Sequence, residues 1–333
     1  MNEQLAIDAF WQWWPTVSDA IAKGFTSGGL SQELITGVSE HVAAIDDRLD
    51  WEFGPGLSAQ HHLCLSSKGD PVLRVIVERW RRQAPTADAT WEFYGARQAN
   101  PRGGLALKIG EHDLALDEMT LGVEEDEDRE RLHLTVDHPA FAAIDDDDLK
   151  LRIAFIALDN TLGEDDVERW LGQIDLASER IEAPIALPQL RARVERFARA
   201  STGDRWSLLK GTFDGAPLFV LVNTAIKRID HLLFDTHVTL TIAIRAPTEE
   251  GLVTDEEAAV LNAMEDALVE SLANEAVFIA RETTRGRRVL HFHTMESGPS
   301  AAIIARWRER HEEYSIELDV ERDPRWEVLR RWM

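Results

Sequence analysis

The chain has 333 residues, 44% of them apolar, and 60 acidic against 36 basic side chains give a formal net charge of −24. That length exceeds what one core usually fills, so two domains are expected, and the apolar content, with 11 Trp and 12 Phe, excludes an intrinsically disordered chain. The negative field repels nucleic-acid phosphates and anionic membrane surfaces, which leaves a basic protein or cations as the partners that charge favours.

The charge is local. From Glu111 to Asp175 there are 21 acidic residues against 5 basic ones, whereas from Ser201 onward the balance is 23 to 16. The start, MNEQLAIDAFWQWWPTV, lacks the basic region and unbroken apolar core of a secretory signal, and no run reaches the roughly 18 apolar residues of a membrane span. Cys64 is the single cysteine, so no intramolecular disulfide forms and a reducing, cytoplasmic location is expected.

In chain order, the periodicity predicts a first helix carrying Leu5, Phe10, Trp11, Trp14 and Val17. A second runs from Ser31, its N-cap, to about Ile45, with Gly24, Gly28 and Gly29 between them. Strands follow around Leu49–Phe53 and His62–Ser66, joined by the turn Gly54-Pro55-Gly56. Asp70-Pro71 opens a helix through Trp80, and Trp91–Tyr94 is another strand. Leu105–Ile109, Leu114–Leu121 and Leu132–Val136 alternate as strands, and Leu151–Leu158, nearly all apolar, reads as a central strand. Glu124–Asp128 is expected as a hairpin tip and Asp145–Asp148 as a solvated turn. Glu164 to Ile174 reads as a helix, Pro184 and Pro188 mark a linker, and a helix runs from Gln189 to about Ala200.

The last segment is predicted to hold strands at Trp206–Phe213, Leu218–Thr224 and Val238–Arg245. A helix then opens on the capping box Thr254-Asp255-Glu256-Glu257 and turns Val260, Leu261, Met264, Leu268 and Leu272 inward. Strands Val277–Thr284 and Val289–Met295, a helix after Gly298-Pro299 and a strand Tyr314–Val320 complete the order β-β-β-α-β-β-α-β. The expected class is therefore α+β in two domains. Residues 1–185 form a mixed α+β domain with an acidic centre, 186–203 a linker and connecting helix, and 204–333 a ferredoxin-like antiparallel sheet backed by two helices. His62-Leu63-Cys64, Asp70-Pro71, Arg79-Trp80-Arg81 and Trp91–Tyr94 parallel His291-Phe292-His293, Gly298-Pro299, Arg306-Trp307-Arg308 and Tyr314–Val320, so a related β-β-α-β unit is expected in the first domain.

From Trp206 to Met333 the chain resembles the family called domain of unknown function 695. The resemblance is carried by Asp214-Gly215-Ala216-Pro217 leading to Asn223, by Glu265-Asp266, by Thr283-Thr284-Arg285-Gly286-Arg287, and by Asp323-Pro324-Arg325-Trp326. It implies a ferredoxin-like fold and points to regulation, and it implies no established activity. Leu158-Asp159-Asn160-Thr161-Leu162-Gly163-Glu164-Asp165 looks like the segment preceding such domains in longer bacterial proteins.

Among candidate sites, His291 and His293 lie two apart on one strand and leave the same face. Glu282 on the neighbouring strand would complete a set of metal ligands. His61, His62 and Cys64 form a looser cluster whose two histidines point to opposite faces. Glu265 and Asp266 diverge by about 100° on their helix, which favours a salt bridge to a basic residue such as Arg287 over paired acid–base work. Cys64, between Leu63 and Leu65, reads as an inert thiol. Phosphate loops, nucleophile elbows and C-x-x-C pairs are absent, so no cofactor is expected. The reading is a non-catalytic binding or regulatory protein that engages a macromolecule, with a metal-assisted hydrolase built on His291, His293 and a carboxylate as the alternative.

Overall fold

The computed structural model of the chain describes residues 3–100, 106–109 and 112–332. Leu105, expected to begin a strand, lies outside them. The class is α+β, and the chain divides into two compact units, Met1–Asp126 with Arg131–Ala200 and Glu127–Glu130 with Ser201–Met333.

The first unit begins with α1 (Glu3–Trp13), α2 (Ser18–Thr26) and α3 (Gln32–Ile45). The single first helix expected through Val17 is divided by a 3-10 turn, Trp14–Thr16, because Pro15 has no N–H to continue the ladder. Leu5, expected inside, is exposed, and Gly24 lies within α2 rather than after it. Ser31 caps α3 by accepting the Leu34 N–H. Strands β1 (Asp50–Pro55), β2 (His61–Ser66) and β3 (Trp91–Tyr94) form one sheet in that order. β1 continues through Pro55, so the turn starts two residues later than expected, at Gly56. Between β2 and β3 runs α4 (Pro71–Arg82), capped by Asp70, and this crossover makes β2 and β3 parallel neighbours. Trp80 is fully buried among Phe10, Leu63 and Leu73.

A hairpin of β4 (Ala106–Ile109) and β5 (His112–Ala115) follows. The strand expected over Leu114–Leu121 is interrupted by a 3-10 turn, Leu116–Glu118, before β6 (Thr120–Asp126) pairs with β7 (Arg131–Asp137). Leu151–Leu158 is not a strand. It lies within α5 (Asp147–Leu162), where Ile153, Ala154, Ala157 and Leu158 are buried while Phe155 and Ile156 face out, a helical period that an all-apolar run conceals. Asp145–Asp148 is correspondingly a helix start. Asp146 accepts the Leu149 N–H at 3.1 Å, and Asp147 and Asp148 sit at the positive end of the helix dipole.

The helix expected over Glu164–Ile174 stops as α6 (Glu164–Trp170), and β8 (Leu171–Leu176) continues parallel to β7. Gly172 permits the switch, since a Cβ there would meet His133 Nδ1 at 2.7 Å. β9 (Ile185–Ala186) completes the sheet order β8-β7-β6-β9, and α7 (Leu187–Ala200) packs on α5.

The second unit contains β10 (Trp206–Phe213), β11 (Ala216–Asn223), β12 (Thr236–Ala243), α8 (Asp255–Leu272), β13 (Ala276–Thr284), β14 (Arg287–Thr294), α9 (Ser300–Glu309), β15 (Ile316–Arg322) and α10 (Glu327–Arg330). The expected order is present, and all six strands pair antiparallel in the order β10-β11-β13-β14-β12-β15. From β12 onward the elements run β-α-β-β-α-β, with the β10–β11 hairpin added beside β13. Leu240, Leu290 and Phe292 pack with Leu261 and Leu268 of α8 and Trp307 of α9. Val260, expected inward, is exposed.

Thr254 caps α8 as expected, but the Glu257 carboxylate does not return to the cap. It accepts the N–H groups of Arg245 at 2.6 Å and Ala246 at 3.0 Å, fastening the helix to the chain leaving β12. The two β-β-α-β units share element order and differ in pairing: β2 and β3 are neighbours, whereas β14 and β15 flank β12.

Candidate functional site

Alternation on β12 and β14 sends Val238, Leu240, Leu290 and Phe292 to the helix side. His237, His291 and His293 therefore share the opposite face, and the register sets His237 opposite His293. His237 Nε2 lies 3.1 Å from His291 Nδ1, and His237 Nδ1 lies 3.1 Å from Glu321 Oε1. At the other end His291 Nε2 is 3.3 Å from Glu282 Oε1. The result is a row of contacts, Glu321, His237, His291, Glu282, across the four strands β15, β12, β14 and β13.

His293 is oriented differently. Its Nδ1 meets the Phe234 carbonyl at 3.2 Å, and its Nε2 faces Asp323 Oδ2 at 3.6 Å without a hydrogen bond. Burial, reinforced by the neighbouring His237, pushes its pKa down to about 3, so the ring is neutral and Nδ1–H is the donor. Trp326 stacks on His293 with centroids 4.4 Å apart, and Trp332 meets His291 edge-on at 5.1 Å. The structure thus joins two of the three expected metal ligands, His291 and Glu282, and turns His293 toward Phe234 and Asp323. Among the described residues no group of three or more His, Cys, Asp or Glu is arranged to hold a metal ion. His237 was missed in the sequence, although the alternation His237, Thr239, Thr241 against Val238, Leu240, Ile242 marks a polar face that matches the one carrying His291 and His293.

The family-motif residues do not converge on one point. Gly215, with φ of 77°, forms the β10–β11 turn, and the Pro217 carbonyl accepts the Thr284 hydroxyl at 2.7 Å. Asn223 Oδ1 accepts the N–H groups of Arg205 and Ala225 at 3.1 and 3.2 Å. Gly286 donates its N–H to the Gly251 carbonyl at 2.7 Å. Asp323 Oδ1 accepts the Glu327 N–H at 3.0 Å, and the Trp326 indole N–H donates to the Phe234 carbonyl at 2.9 Å. Asp266 and Arg287 are exposed. Glu265 is buried, and its partner is not Arg287 but Arg281, at 3.2 Å, with Arg288 at 3.9 Å. Strand alternation explains this: Arg287 lies at the β14 terminus facing out, and its neighbour Arg288 faces the helix.

In the first unit His62 Nδ1 meets the Pro55 carbonyl at 3.1 Å, and His61 lies against Trp91. Cys64 is buried, and burial raises its thiol pKa well above the ordinary value, so it is no nucleophile. No helix among the described residues is long and apolar enough to cross a membrane. Comparison with curated proteins and with solved structures gave no match. Residues 204–332, the sheet with its histidine row and its fastened C-terminal turn, match the model of the family described as a family of unknown function (DUF695).

Proposed function

We propose that the chain is a cytoplasmic, non-catalytic binding or regulatory protein whose ferredoxin-like unit engages a macromolecular partner, an extended segment of a basic protein, along β10. The observation that carries this reading is the state of β10 itself. Among the described residues it ends the sheet and pairs only with β11, and it exposes Trp206, Leu208 and Phe213 to 40%, 56% and 53%. An eight-residue edge with no Pro and one charge, Lys210, lacks the usual protections against strand addition. Its outer backbone groups and apolar side chains are what an added strand uses for affinity and selection. The net charge of −24 favours a basic segment, and the single, buried Cys64 suits a reducing compartment.

The test is affinity capture from a bacterial lysate at about 50 mM and about 500 mM salt, which bracket the screening regime, with the wild type beside a Leu209→Lys/Phe213→Lys variant. The expected result is one basic protein held by the wild type, weakened by salt and lost from the variant. Equal capture by both chains, or none by either, would overturn the reading.

A further inference from the structure

We propose that the second unit also binds a small monocarboxylate with a short apolar body, in a cavity between α8 and strands β11, β13 and β14, with its carboxylate held by Arg281 and Arg288. Leu208 of β10 also lines this cavity, so the two sites share one wall residue, but the carboxylate site does not rest on the β10 edge reading. The cavity measures about 310 Å3 and is walled by Phe219, Leu221 and Val253, with Asn262 and the two arginines as its polar groups. That composition, mostly apolar with a few converging polar groups, is the usual form of a small-ligand site, and the volume lies near the lower end of the range for such sites.

The charges in the cavity do not balance. Arg281 Nη1 donates to both Glu265 oxygens at 3.2 Å and to Asn262 Oδ1 at 3.0 Å. Arg288 Nη1 donates to the same Asn262 oxygen at 2.8 Å. Two guanidinium groups therefore share one carboxylate and one amide oxygen. Arg288 is only 3% exposed, and its buried Nε has no hydrogen-bond partner. Burial pushes its pKa down to about 10, with the Arg281 charge adding to the effect, and burial also raises Glu265. An unpartnered buried donor beside surplus positive charge is costly when empty. A carboxylate oxygen accepting from Arg288 Nε would satisfy the donor and the charge together. Among groups in direct contact the two guanidiniums exceed the one carboxylate by one charge, with Glu257 acting on Arg288 from farther off, which matches a monoanion, and the apolar walls match a hydrocarbon body that phosphate does not have.

The test is calorimetric titration of the full chain with hexanoate, hexan-1-ol and inorganic phosphate, with the Arg288 Nε–Hε resonance followed by NMR. Hexanoate is expected to bind saturably, at least about tenfold tighter than either other probe, and to shift the Arg288 resonance. Arg281→Gln should weaken hexanoate by about tenfold or more, whereas Glu265→Gln, which removes the competing carboxylate, should tighten it. Hexanol or phosphate binding as well as hexanoate, an unmoved Arg288 resonance, or Glu265→Gln weakening the complex would each overturn the proposal. The wild-type resonance and the opposite sign of the Glu265 variant keep the test decisive even where Arg281→Gln fails to fold.

Discussion

Trp326 lies over the ring of His293 with centroids 4.4 Å apart and planes 23° from parallel, while its indole N–H donates to the same Phe234 carbonyl that meets His293 Nδ1. One backbone oxygen thus orders both rings. Trp326→Ala removes the stack, the indole bond and a buried side chain, and is expected to cost about 3–5 kcal/mol in urea unfolding. Trp326→Phe, which keeps an aromatic ring and loses the indole donor, should recover part of that loss.

Glu257 and Thr254 act on different parts of α8. Glu257→Gln weakens two backbone acceptor contacts and should cost about 1–3 kcal/mol, while Thr254→Ala loses an N-cap worth about 0.5–2 kcal/mol. Because the carboxylate bonds to Arg245 and Ala246 rather than to the cap, the double variant should lose the sum of the two within about 0.5 kcal/mol. A working capping box would instead make the losses non-additive, and equilibrium denaturation of the three variants distinguishes the cases.

Asp159 in α5 keeps its proton to higher pH than an ordinary carboxyl. Burial, with the nearby Glu164 charge, raises it from 3.8 to about 7. Between those values the folded chain binds the proton that the unfolded chain releases, so stability contributed by this group falls as pH rises from about 4 to about 7 and stays lower above. Asp159→Asn is expected to raise the melting temperature at pH 8 relative to the wild type and to leave it nearly unchanged at pH 4.

Glu130 has the opposite sign. Burial alone would raise it, but the Ser201 hydroxyl, the Thr202 and Gly203 N–H groups and the Lys227 charge outweigh that and hold it at about 2. Its contribution is complete above pH 4.5 and is lost as pH falls toward 2. Glu130→Gln should lower stability at pH 7 and reduce the acid dependence below pH 4.5, as read from thermal melts across that range.

Elements whose signal is local were legible in the sequence. The alternation of β12 and β14, the cap at Ser31 and the Asp70-Pro71 helix start lie within a few residues of what they specify. Leu151–Leu158 was not legible, because a run apolar on every side has no period to separate strand from helix. The strand after α6 packs Gly172 against His133, which occupies the space a Cβ there would need, and no window of sequence contains that contact. The site divides in the same way. His291 and His293 were found because they sit two apart on one strand. His237, which meets them only through the β12–β14 register, and the Arg281, Arg288 and Glu265 group, assembled from two strands and a helix, depend on pairings that sequence spacing does not encode.

The position of β12 between β14 and β15 also orders events in time. Thr236 finds one neighbour in Thr294 and the other in Arg322, so during synthesis β12 leaves the ribosome with both flanking strands still unmade. Loop closure of that length is slow to be rewarded, and until β15 arrives the hydrogen-bonding groups of β12 are open to any other chain. The sheet is completed last at its β15 edge, and a chaperone that shields β12 would act on the interval when misassembly is easiest.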